Sequence, residues 1–234
     1  MGETYSIPRP RPPMGMWPPD DTEESVMGTD LHQMTIMNLR WGINEAAASL
    51  ISPGEPAPWQ ALSQTVVVGF QRRDNTRFKT LPDVFVYRRP IGRRRGSVSV
   101  ALDGPPALII EVLSESTYDV DLDLDDGKGY SYARAGVSEY LTLDPTGEFL
   151  PEQVRAWRLD GNGYLPWTPD ADGRWRSEQI AVTIDVEGVL AAVYGPDGRR
   201  QLREGEISVE LARRDDELVR LRQLVEQLRR RQKE

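Results

Sequence analysis

PPALIIEVLSESTYDVDLDLDDGKGYSYARAGVSEYLTLD, running from Pro105 to Asp144, decides the fold. It opens on a short apolar run, Ala107 to Leu113, interrupted by one glutamate, Glu111. Apolar runs of this length bounded by turn residues read as buried strands. An acidic segment follows, then a helix expected to begin near Asp125 or Asp126, because acids suit a helix N-terminus, and to run to about Ala135. Gly136 is the residue expected just past its end. Glu139–Leu143 reads as the next strand, closed by Asp144 and Pro145. A carboxylate inside a buried strand is costly to desolvate unless it is paired or binds a cation. Glu111 therefore sets the question for the rest of the chain, which is where its partners lie.

Upstream, Leu81-Pro82-Asp83-Val84-Phe85-Val86-Tyr87 reads as a strand with Asp83 at its start, and Thr65–Phe70 as a β-branched strand before it. Ser97–Leu102 is expected to be a short edge strand. From Thr29 the pattern is helical, with Asp30 as N-cap. His32, Ile36, Leu39, Ile43, Ala47 and Leu50 recur at helical spacing along one face, until Pro53 and Gly54 stop it. His32, the single histidine, reads first as a partly buried ring bonded to backbone. Downstream come strands at Val154–Leu159, Tyr164–Trp167 and Ile180–Val186, then a short apolar helix from Val189 to Tyr194. A helix followed by a mixed sheet with one central helix predicts an α/β or α+β fold.

Two flanks differ in composition. Residues 1–24 are rich in proline and end in acids, and read as an extended or disordered arm. The globular domain is expected over 25–200, with a charged helical tail over 201–234. In that tail Leu211, Leu218, Leu221, Val225 and Leu228 keep heptad spacing, with Arg214 breaking the seam. This favours a homo-oligomer, in the first place a dimer, alongside the alternative of a solvated tail helix packed on its own domain.

The chain of 234 residues carries a formal charge of −8 and no cysteine, which excludes a disulfide framework and a thiolate metal site. No apolar run is long enough to span a bilayer, and no basic-then-apolar leader opens the sequence; a cytoplasmic, membrane-free protein is the expectation. An acidic total is unlike a protein that coats nucleic acid in bulk. One segment inverts the balance. Arg72, Arg73, Arg77, Lys79, Arg88, Arg89, Arg93, Arg94 and Arg95 face only Asp74 and Asp83 between positions 72 and 95. Of these, Arg72, Arg73, Arg77, Arg93, Arg94 and Arg95 are the candidates for meeting phosphates. Lys79, Lys128 and Lys233 are the only lysines, so a retained amine carries some information.

Asp83, Glu111 and Lys128 stand out together. Two carboxylates on neighbouring strands can share a hard divalent cation, Mg²⁺ or Mn²⁺, with the backbone carbonyl of Val112 as a further oxygen ligand. A lysine beside that ion could orient a water or help deprotonate it, while the ion stabilises charge on a phosphate. The acidic run does not form an EF-hand: a loop starting at Asp121 would need glycine at its sixth position and glutamate at its twelfth, where Asp126 and Tyr132 stand. It reads as a solvated loop, with Asp125 or Asp126 close to the metal.

Pro82-Asp83, Ile110-Glu111-Val112-Leu113-Ser114, Lys128 with Tyr132, and Ala135-Gly136-Val137-Ser138-Glu139-Tyr140 resemble the Uma-two family of restriction endonucleases, part of the PD-(D/E)XK nuclease superfamily. Leu31-His32-Gln33 at a helix start also fits, and the resemblance covers roughly residues 25 to 195. It implies a restriction-endonuclease-like core, a mixed sheet flanked by helices, with Mg²⁺ at Asp83 and Glu111. The superfamily's lysine usually follows the glutamate by two residues. Leu113 stands there, so the resemblance implies that the amine has migrated to Lys128. An extra acid from the first helix is common in the superfamily; Glu23, Glu24 and Asp30 are candidates, and His32 and Asp125 are possible auxiliary residues. The expectation is a metal-dependent DNA endonuclease that hydrolyses phosphodiester bonds. The alternative is a catalytically silent nucleic-acid-binding or assembly protein on the same scaffold.

Overall fold

The computed structural model describes residues 23–92, 96–161 and 163–231. Most of the Pro-rich arm, and Arg93, Arg94 and Arg95, lie outside them. Helix α1, Glu23–Ala48, begins well before the expected cap at Asp30. It buries Ile36, Leu39, Ile43 and Ala47, the stripe read from the sequence; Leu50 lies past its end and is half exposed. The loop that follows is pinned to it, because the Trp59 indole N–H donates to the carbonyl of Ile43 at 2.9 Å. Strands β1 (Gln60–Leu62), β2 (Val66–Gln71), β3 (Arg77–Thr80) and β4 (Val84–Tyr87) come next. β2 and β3 pair as an antiparallel hairpin, so the second half of the basic loop is a strand. The expected edge strand to Leu102 is shorter. β5 (Ser97–Ser99) pairs parallel with β2, then the chain turns into the four-residue helix α2, Val100–Asp103.

The deciding stretch folds as β6 (Leu108–Val112), α3 (Tyr118–Leu122), α4 (Lys128–Ala135) and β7 (Glu139–Leu143). β6 and β7 are parallel neighbours, with Glu111 opposite Thr142, and parallel neighbours need a crossover of this length. The acidic segment is thus not a solvated loop throughout: it contains α3, and α4 starts at Lys128 rather than at Asp125 or Asp126. Gly136 ends α4 at φ 86°, the left-handed conformation expected of it, with its N–H bonded to the carbonyls of Ala133 and Tyr132.

β8 (Val154–Asp160) and β9 (Gly163–Pro166) extend the sheet antiparallel. β10 (Trp175–Arg176), β11 (Thr183–Glu187) and β12 (Leu190–Tyr194) form a separate three-stranded sheet. The expected apolar helix over Val189–Tyr194 is strand β12. A run this short does not distinguish a helix from a buried strand by period. Gly188, at φ 69°, turns the chain so that Leu190–Tyr194 pairs back along Glu187–Thr183. Helix α5, Glu204–Arg231, closes the described chain.

The central sheet has the order β1-β4-β6-β7-β8-β9. Every side chain of β4, β6 and β7 is buried, as expected for strands covered on both faces. Successive side chains point to opposite faces. Val84, Val86, Leu108, Ile110, Val112, Leu141 and Leu143 pack with α1 and the β10–β12 sheet. Phe85, Tyr87, Ile109 and Tyr140 pack on the other face with Phe70 of β2 and Tyr132 of α4. Glu111 shares the parity of Ile109, so it points toward α4. No helix among the described residues is long and apolar enough to cross a membrane.

Candidate active site

Three elements converge on Glu111. Its own strand β6 pairs antiparallel with β4, Val84 opposite Ile110, which brings Asp83 to the side of Glu111. The two are tied through the backbone: the Asp83 N–H donates to Glu111 Oε2 at 3.2 Å, and the Val112 N–H donates to Asp83 Oδ2 at 2.8 Å. Above this face, Lys128 and Tyr132 are four residues apart on α4 and so project together. The Tyr132 hydroxyl donates to Glu111 Oε1 at 2.6 Å, and Lys128 Nζ lies 3.2 Å from the same oxygen. Asp83, Glu111 and Lys128, read from the sequence as one constellation, are brought together.

A third carboxylate belongs to the cluster. Asp121 of α3 is buried, and Lys128 Nζ lies 2.7 Å from its Oδ1. Neither Asp121 oxygen has a well-aligned hydrogen bond among the described residues, so the ion pair is its main compensation. Sequence reasoning chose Asp125 or Asp126 instead. Both are exposed, and the Asp125 N–H turns back to Asp123 Oδ1 at 2.8 Å. The available signal was the pair of glycines around Lys128. A Cβ on Gly127 would lie 2.3 Å from the carbonyl oxygen of Val120 and 2.5 Å from that of Asp123. Only glycine lets the end of α3 press against the start of α4, and that contact delivers Asp121 to Lys128.

His32 also reaches the site. Its Nε2 lies 3.0 Å from the carbonyl oxygen of Val112 and 3.6 Å from Asp83 Oδ2, with about a quarter of the side chain exposed. The backbone-bonded histidine of the first reading is correct, and the backbone it meets is the carbonyl expected to serve a metal. Asp30 is exposed, and the side chains of Glu23 and Glu24 lie outside the described ones. Arg72, Arg73 and Arg77 are exposed around the β2–β3 turn, on the side of the sheet that carries α4; Phe70 of β2 meets Tyr132 edge-on at 5.0 Å.

The electrostatics follow from burial. Desolvation pushes the Glu111 carboxyl up to about 8; Asp83 and Asp121 add to the rise, while Lys128 and Tyr132 oppose it. Asp121 is raised by burial as well, against the pull of Lys128. Burial pushes the Lys128 amine down, but Glu111 and Asp121 outweigh it and hold the amine above its ordinary value. Lys128 is therefore a fixed ammonium while both acids are present, not a proton acceptor. The bond to Asp83 raises His32, with burial opposing.

Two carboxylates thus pair with one ammonium while a third, Asp83, lies beside Glu111, and burial magnifies the imbalance. Among the described residues no three histidine, aspartate or glutamate side chains form a ready-made metal cage. Asp83 and Glu111 do supply two hard oxygen donors side by side. Such a sparse set suits Mg²⁺, which keeps several of its waters, and the surplus of buried negative charge favours a divalent ion.

No curated protein matches the chain. A family model does: Uma2, described as "Putative restriction endonuclease", matches residues 57–192. The match spans Asp83, Glu111, Asp121, Lys128 and Tyr132, and leaves out α1 with His32, where the resemblance was expected to begin, and α5. With more than half of its length matched, and with a mixed sheet flanked by helices in the restriction-endonuclease-like arrangement, the chain belongs to the Uma2 family.

Proposed function

We propose that the chain is a metal-dependent DNA endonuclease. The observation that carries this reading is the meeting of Asp83, Glu111 and Lys128, from three separate elements, within hydrogen-bonding and ion-pairing distance. Asp83 and Glu111 hold Mg²⁺ or Mn²⁺, which when bound would polarise the phosphodiester and lower the pKa of its water. Lys128 acts as a cation that neutralises Glu111 and Asp121 and faces the phosphate charge; its raised amine makes it a poor base. Tyr132 fixes the rotamer of Glu111 by its hydroxyl, and His32 fixes Asp83 and the end of β6. Arg72, Arg73 and Arg77, together with Arg93, Arg94 and Arg95, meet the DNA backbone.

The test is cleavage of supercoiled plasmid by the purified full chain with Mg²⁺ or Mn²⁺, against a chelator control. Nicking or linearisation is expected with metal, with loss of at least about a hundredfold in Asp83→Asn, as for removal of a group that stabilises transition-state charge. Calorimetric Mn²⁺ binding should weaken in Asp83→Asn and survive in Lys128→Ala. Equal cleavage by wild type and Asp83→Asn would rule out this site. Absence of both cleavage and Mn²⁺ binding would favour the catalytically silent reading, which the engagement of Lys128 by two carboxylates also supports.

A further inference from the structure

Helix α5 is anchored at one end and bare along the rest. Arg203 bonds Glu187 at 2.7 Å and the carbonyl of Ala191 at 3.0 Å, while Arg200 bonds Glu206 at 2.8 Å. From Leu211 to Gln227 every side chain is exposed. Leu211, Leu218, Leu221 and Val225 are each about half exposed, and their spacings of seven, three and four place them on one stripe. A helix without tertiary contacts is marginal in water, and an apolar stripe of this length needs a cover.

Charge says what covers it. Residues 204–217 carry six acids (Glu204, Glu206, Glu210, Asp215, Asp216, Glu217) against two arginines. Residues 218–231 carry five arginines (Arg220, Arg222, Arg229, Arg230, Arg231) against one glutamate. Two copies side by side and parallel would set acid half on acid half. Turned antiparallel, each acidic half meets a basic one.

We propose that α5 is a dimer interface in which two copies of this chain pair their α5 helices antiparallel. The two-fold axis passes between Leu218 and Leu221. Leu218 then faces the second copy's Leu221, and Arg214 faces its Val225, where the aliphatic stem packs and the guanidinium reaches outward. Beside this seam Asp215 meets Arg222. The parallel register instead sets Glu210 against Asp215. Flanking pairs of this kind fix orientation in coiled coils, and the interface is isologous and closes at two copies. The inference does not rest on nuclease activity.

The chain has no cysteine, so introduced thiols report the register directly. A mixture of Arg214→Cys and Val225→Cys full-length proteins, oxidised together, should yield the mixed disulfide as the main covalent dimer. In sedimentation the native chain should be dimeric. Asp215→Arg should raise its dissociation constant about tenfold, since two pairs per dimer become repulsive, and adding Arg222→Asp should restore it. Self-crosslinking of Arg214→Cys alone, a native chain monomeric at every concentration, or failure of the double reversal to restore pairing would each overturn the proposal.

Discussion

Glu111 carries the largest electrostatic load at the level of single residues. Its folded pKa, about 8, lies above the ordinary carboxylate value, so the folded state binds more protons than the unfolded state between the two. The stability it contributes is fully present below the unfolded value and is lost as pH rises through the folded one. Through Glu111, metal-free protein should therefore lose stability from about pH 5 to about pH 8, and this group contributes a slope of at most about 1.4 kcal/mol per pH unit. His32, also raised, acts with the same sign above its ordinary value. Urea unfolding across that range is the check, and Glu111→Gln should flatten the curve while leaving the parts that come from His32 and Asp121. A wild-type curve already flat there would mean that Glu111 stays ionised and fully compensated. Asp83, Glu111 and Lys128 could be picked out from the sequence because each breaks its surroundings: an acid after proline, an acid in an apolar strand, an amine in a chain that otherwise uses arginine. Asp121 was harder to pick, since Asp119, Asp121 and Asp123 alternate identically: the glycines flanking Lys128 signal the contact of α3 with α4, and only the packing chooses among the three.

The crossover from β6 through α3 and α4 to β7 is the element on which the site depends. Gly127 sits at its tightest point, where an added Cβ meets two backbone carbonyls that have no room to move aside. Gly127→Ala is expected to cost about 1–3 kcal/mol, as overpacking does, and to shift Lys128 away from Asp121. Urea unfolding measures the first effect, and the pH dependence described above, carried to higher pH by weaker neutralisation, measures the second. An alanine variant as stable as wild type would show that the α3–α4 turn relaxes freely and does not position the lysine. This crossover also marks how far elements could be read. β6, β7 and the glycine cap of α4 came through because a long apolar run and a glycine just past a helix carry strong local signals. β12 was misread as helix, because five apolar residues satisfy either period and only pairing with β11 decides between them.

At the level of the whole molecule the acidic total and the basic hairpin pull in opposite directions. With a formal charge of −8, the protein as a whole repels DNA, so the proposed association with DNA requires the few places where the local sign is inverted. Arg72, Arg73 and Arg77 supply such a place: they are exposed, they surround one turn, and they lie on the face of the sheet that carries α4. Counterion release gives the expected size. Each phosphate neutralised contributes about 0.9 to the slope of log affinity against log salt on duplex DNA. Replacing all three arginines by alanine should therefore lower the slope by up to about 2.7 and weaken binding most at low salt. The fold should survive, since exposed substitutions away from packed features change stability by only about 0.5 kcal/mol. Fluorescence anisotropy of a labelled duplex, titrated at several salt concentrations in the presence of Ca²⁺ to prevent cleavage, reads the slope directly. Loss of affinity with the slope unchanged would place these arginines outside the phosphate contacts. An unchanged affinity and slope together would leave the stretch from Arg88 to Arg95 to carry the DNA by itself.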